Sequence, residues 1–150
     1  MKKVILAPAA AAALLPLLAA AQFSKSEDEI RYRQSAMFIM GTHFYGRIAP
    51  MVNDKIPFDA TKAKQSAAIV QAMSQVPWIA FSPTSEKGET KALPAIWKDP
   101  GKFAAVRDKM IEKVPGLRAA ADSGDKAKLK AAYTETAAAC KNCHDDFRGK

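Results

Sequence analysis

Two thiols and an imidazole stand close together near the end of the chain, in the run Cys140-Lys141-Asn142-Cys143-His144. C-x-x-C-H is the attachment sequence of c-type haem. Thiols three positions apart on a helical turn can add to the two vinyl groups on one side of a porphyrin. The next residue, His144, then offers its imidazole to the iron. One covalent haem c with His144 as axial ligand is therefore the expectation. Zinc would need two further ligands, and the only other histidine or cysteine is His43. A redox CxxC belongs at a strand-to-helix junction of a βαβ unit, and no such pattern is present.

His43 lies six positions after Met37, about 240° further round a helix, so the spacing reads it as a structural or surface histidine. Arg148 follows His144 by four and shares its helix face. It either borders the proximal side of the haem or frays at the chain end, and spacing alone leaves both open.

The elements that must position this site are helical. Alternating Val/Ile/Thr runs and Asn-Gly turns are absent. A first helix opens at Ser24 or Ser26, with Glu27, Asp28 and Glu29 in its first turn, where the helix dipole favours acids. Its inward stripe is Ile30, Arg33, Met37, Met40 and Phe44, and Pro50 falls near its end. A second begins near Asp59 or Thr61 and carries Ala63, Ala67, Val70 and Met73. The connection Ser82 to Asp99 holds Pro83, Gly88 and Pro94 and reads as the least helical part. A third helix runs from about Gly101, with Phe103, Val106, Met110, Val114 and Leu117 inward, and Pro115 is expected to kink it. After Ser123-Gly124-Asp125, a fourth presents Leu129, Ala132, Thr136, Cys140 and Cys143 on one face. The expected fold is all-α: an antiparallel up-down-up-down four-helix bundle.

The start of the chain reads as a signal peptide, residues 1–21. Met1-Lys2-Lys3 is a positive n-region, Val4 to Leu18 is apolar apart from its prolines, and Ala19-Ala20-Ala21 suits cleavage. The uncharged stretch Val4–Ala21 is long enough to be read instead as an anchor. Alanine's weak membrane preference and the break at Pro16 favour cleavage. The remaining domain, residues 22–150, would have no membrane span, and export places it in a bacterial periplasm. Cleavage removes two lysines and lowers the formal charge from +8 to +6. The lysines of the second half alternate with Asp and Glu, which reads as solvated helix faces and not as a nucleic-acid surface.

With C-x-x-C-H on the last helix of four, the chain resembles the cytochrome c′ family; most other c-type cytochromes carry the motif near the N-terminus. Tyr32-Arg33-Gln34, Pro77-Trp78 with Phe81, and Ile96-Trp97 add to the resemblance, which covers the whole mature region. It implies that Arg33 and Gln34 contact the haem propionates or rim, that Trp78 packs near the haem edge, and that Arg148 borders the proximal pocket. Thr90, in the loop Glu86 to Leu93, is a candidate for the haem edge.

Met37 matches the position facing the sixth coordination site. In typical members an apolar side chain there shields the iron, which stays five-coordinate and high-spin and binds NO and CO. In low-spin relatives a methionine at this position ligates the iron, and a thioether is a competent ligand. The resemblance favours an unligated Met37; the alternative is a six-coordinate electron carrier with His144 and Met37 as ligands. Electron exchange with redox partner proteins is implied in either case. No distal His–Arg pair exists to activate peroxide, so no enzyme activity is expected. The resemblance also implies a homodimer packed through the first two helices, whose outer faces carry Phe38 and Ile69.

Overall fold

The computed structural model describes residues 23–150. The expected signal peptide, residues 1–21, lies outside the described residues. Six α-helices follow one another: α1 (Ser26–His43), α2 (Ala49–Val52), α3 (Ala60–Met73), α4 (Ala95–Lys98), α5 (Pro100–Asp122) and α6 (Lys126–Phe147). A π-helical turn, Phe44–Ile48, joins α1 to α2 without a break, so the first rod of the bundle runs from Ser26 to Val52. With α3, α5 and α6 it makes the expected four-helix bundle. No strand occurs among the described residues; one isolated antiparallel bridge joins Ala92 to Arg148.

Local chemistry explains the boundaries. Asp59 caps α3 by accepting from the Lys62 amide at 3.0 Å. Asp99 caps α5 in the same way through the Lys102 amide, with Pro100 in the first turn, where a missing N–H costs nothing. Asp125 accepts from the amides of both Ala127 and Lys128 at the start of α6. Helix α2 ends at Asn53, and Asp54 turns the chain with a left-handed φ of 59°. Helix α5 continues through Pro115, which lies on its exposed face.

The connection expected to be least helical contains short turns. Two 3-10 turns, Pro77–Ala80 and Pro83–Ser85, each begin on a proline, and α4 starts immediately after Pro94. Proline's fixed φ suits the first position of a helical turn, so the residues that forbid a long helix here nucleate short ones.

Two apolar clusters hold the bundle. The larger joins all four rods through Phe44, Ile48, Val52, Ala67, Val70, Val114, Leu117 and Leu129. The smaller centres on Ile96, Phe103 and Phe147, with Phe81 and Trp97 beside them, and Trp78 packs against both. On the α1 stripe, Ile30, Arg33 and Phe44 are buried as expected, whereas Met37 and Met40 are only half-buried. Leu129 is 0% exposed. Leu129→Ala should cost about 2–5 kcal/mol by leaving a cavity. Asp125→Ala should cost about 1 kcal/mol by removing a cap. Denaturant unfolding of the holoprotein followed by circular dichroism checks both; equal costs would contradict this ranking.

Candidate functional site

Helix α2 packs on α6, but the body of α1 stands off from it, and a cavity of ≈ 690 Å³ lies between them. That size lies within the usual range for a ligand pocket. Arg33, Gln34, Met37, Trp78, Thr90, Cys140, Cys143, His144 and Arg148 all line it. Nine residues drawn from three stretches of sequence thus meet at one place.

Both cysteines are free, and both are half-buried. Burial, reinforced by the neighbouring Cys143, pushes the Cys140 thiol up to about 11. The Cys143 thiol is raised as well, by burial first and by Asp146 second. Redox CxxC pairs work through a thiol drawn down toward neutrality, the opposite of what is found here. Burial lowers the His144 pKa, the Arg148 guanidinium lowers it further, and Asp145 opposes both. The balance favours the unprotonated imidazole, the form that binds a metal. Among the described residues no group of three His, Cys, Asp or Glu could hold a metal ion.

The donor set fits a covalently held haem. Two thiols one helical turn apart, an imidazole on the next residue and a mainly apolar wall share one cavity. Met37, Met40, Gly41 and Phe44 supply the α1 wall, Val70 the α3 wall, and Phe103, Met110 and Val114 the α5 wall. Lys91, Arg107 and Arg148 bring positive charge to its boundary.

His43 does not line the cavity; its Nδ1 lies 3.3 Å from the Ser66 hydroxyl. The structural reading of His43 holds. Gln34 lines the cavity and donates its side-chain amide to the Glu89 carbonyl at 2.8 Å. Trp78 donates its indole N–H to the Ser74 carbonyl at 2.6 Å, which fixes the ring against the cavity.

Arg33 is 3% exposed. Its guanidinium donates to the Ala80 carbonyl (2.7 Å), the Ser85 hydroxyl (2.6 Å) and carbonyl (2.9 Å), and the Thr90 hydroxyl (3.1 Å). It also lies 4.7 Å from the centre of the Phe81 ring. Burial lowers its pKa and the nearby Glu29 raises it, but a guanidinium stays charged throughout.

Sequence reasoning missed Tyr45. It lies off the regular α1 stripe, yet it lines the cavity with its hydroxyl toward the Cys140 thiol. Burial, followed by Cys140 and Tyr133, pushes its hydroxyl up to about 12. It lies four residues after Gly41, at the border of the same helix face.

Comparison with known proteins agrees with this geometry. The family model for cytochrome c′ matches residues 28–148. The cytochrome c′ of Rubrivivax gelatinosus is 47% identical over 130 residues, covering 86% of this chain and 100% of that protein. That of Alcaligenes xylosoxydans is 41% identical over 129 residues, 86% of this chain and 99% of the relative. The crystal structure of the Rubrivivax protein superposes with a TM-score of 0.81, covering 85% of this chain and 99% of that one. A nitric oxide complex of a cytochrome c prime variant from Alcaligenes xylosoxidans superposes with a TM-score of 0.79 at 41% identity, covering 86% of this chain and 99% of that one.

Proposed function

The chain belongs to the cytochrome c′ family of covalent haem c proteins, and we propose that it binds nitric oxide and carbon monoxide at a five-coordinate, high-spin haem. The observation that carries this reading is the composition of the middle of the α1 wall, between Arg33 and Gln34 at one end and Tyr45 at the other. Met37, Met40, Gly41, Phe44 and the facing Val70 hold no charged or titratable group. Such a wall repels water and anions but admits a small neutral diatomic. Bound in the cavity, a haem c supplies an iron that takes a gas ligand and exchanges an electron. Cys140 and Cys143 would hold it, and His144 would ligate its iron. Arg148, one turn on, adds to burial in disfavouring protonation of that imidazole. Gln34, Thr90 and Trp78 border the edge, with Arg33 behind them. Met37 shields the sixth position without ligating it. The relative solved as a nitric oxide complex supports the gas-binding part of this reading.

Two chemical details argue against an enzyme. The methionines of the α1 wall cannot move a proton, and the one further histidine is turned to Ser66. Electron transfer to partner proteins fits a haem whose cavity opens at the surface.

Among the described residues no helix is long and apolar enough to cross a membrane. The signal-like residues 1–21 support an exported, periplasmic protein with a mature terminus at Gln22. A homodimer through the α1 and α3 faces fits the 74% exposure of Phe38, while Ile69 is half-buried. Phe38→Glu should then give a monomer in sedimentation; an unaltered dimer would place the interface elsewhere.

The absorption spectrum of the reduced holoprotein tests the central reading. A high-spin spectrum that changes on adding CO or NO is expected. A sharp low-spin spectrum indifferent to CO would instead make Met37 a ligand and the protein a six-coordinate electron carrier. Replacement of both cysteines, Cys140→Ser with Cys143→Ser, should leave the haem extractable by acidified organic solvent. Each single replacement should keep it bound through one thioether.

A further inference from the structure

The family reading gives Arg33 no task that needs four hydrogen bonds to the protein's own chain. All four go to one stretch, residues 80–90. One turn earlier on α1, the buried Glu29 carboxylate accepts from the Ser82 hydroxyl at 2.6 Å and the Thr84 hydroxyl at 3.3 Å. Gln34 adds the Glu89 carbonyl. Gly88 lies so close to α1, with φ of 135°, that a Cβ there would stand 2.6 Å from Ile30 Cδ1. The segment is pressed onto the same turns of α1 that lead to Met37.

The other end of this segment reaches α6. The Thr90 hydroxyl takes both the Arg33 N–H and the Ala92 amide. The Leu93 amide then donates to the Phe147 carbonyl at 3.0 Å, and the Gly149 amide donates to the Lys91 carbonyl at 2.7 Å. These bonds flank the Ala92–Arg148 bridge, one turn beyond His144, and the Arg148 amide itself donates to the His144 carbonyl.

We propose that Arg33 is a positioning residue: its buried guanidinium folds residues 80–93 into a strap that joins the Met37 face of α1 to the last turn of α6 and so sets the placement of His144. The arrangement needs a planar fork with several fixed donors, which arginine has and lysine lacks. It concerns the edge of the cavity and stands whichever coordination state the iron adopts.

Arg33→Gln and Arg33→Lys of the holoprotein separate this role from a charge supplied to the cofactor. Lysine keeps the charge and loses the fork. In both variants the Leu93 and Gly149 amides should exchange hydrogen about tenfold faster or more, while amides in the middle of α3 and α5 stay protected. The reduction potential should shift in both, because His144 moves. Thr90→Val removes only the acceptor linking Arg33 to Ala92, and it should speed exchange at Ala92 and Leu93 if Arg33 variants fail to fold. Unchanged exchange at Leu93 and Gly149 in any folded variant overturns the strap. Exchange that quickens with the potential moving in Arg33→Gln alone overturns the positioning role, since only the charge would then matter. Neither result bears on whether the wild type binds CO, so failure of the gas-binding reading is read separately.

Discussion

The separation of α1 from α6 is the constraint around which the other contacts are arranged. A bundle gains stability by closing its helices, yet a flat cofactor needs two of them held apart. The chain meets both demands by packing densely on either side of the cavity. At one end Phe44, Ile48 and Val52 seal the first rod against Leu129 of α6. At the other, Phe103 stacks edge-on to Trp78 and Phe147, and Phe81 fills the angle between Phe103 and Trp97. Trp78 belongs to both clusters and so ties the two seals together. Interiors of this density resist compression, so the helices stay apart without a strut through the cavity itself.

Charges placed inside the protein serve the same end. Taking Glu29 and Arg33 out of water costs several kcal/mol each unless hydrogen bonds replace the lost hydration. Here they do: hydroxyls meet the carboxylate, and carbonyls and hydroxyls meet the guanidinium, which also lies over Phe81 and Trp97. Among the described residues no buried side-chain nitrogen or oxygen lacks a partner. The gain is mostly in specificity. An apolar pair at these positions could bury as much surface, but it would not dictate which part of a proline-rich connection lies against α1.

How much of this could be read from the residues divides by range. C-x-x-C-H named the cofactor because its chemistry is local: three reactive groups in five consecutive positions. The four rods were legible because caps such as Asp59 and the apolar stripes are set by spacing within one helix. The stripe even placed Arg33 and Met37 on the inner face. What it could not give was the destination of the Arg33 fork, since Ser85 and Thr90 lie 52 and 57 positions away with no pattern linking them. Tyr45 escaped for a different reason: it lies beside the apolar stripe, four residues after Gly41, and the thiol it faces belongs to the last helix. The short turns at Pro77 and Pro83 were hidden because proline marks both the end of a long helix and the start of a short one.

The two sides of the cavity differ in how firmly they are determined. On the α6 side, Cys143 packs into the aromatic cluster, Phe147 is buried there, and Arg148 leaves the helix in extended backbone paired to Ala92. Each of these fixes the turn that carries His144. On the α1 side the wall facing the cavity is built from Met37 and Met40, unbranched chains with several rotatable bonds, and from Gly41, which has none. Ser35 and Ile39 on the opposite side of the helix are exposed. A site that must keep its cofactor permanently and still admit a ligand from one face requires this asymmetry. In the proposed gas-binding reading, rigidity belongs where the covalent links and the His144 imidazole are, and yielding side chains belong opposite, where the Met37 thioether can move aside at small cost.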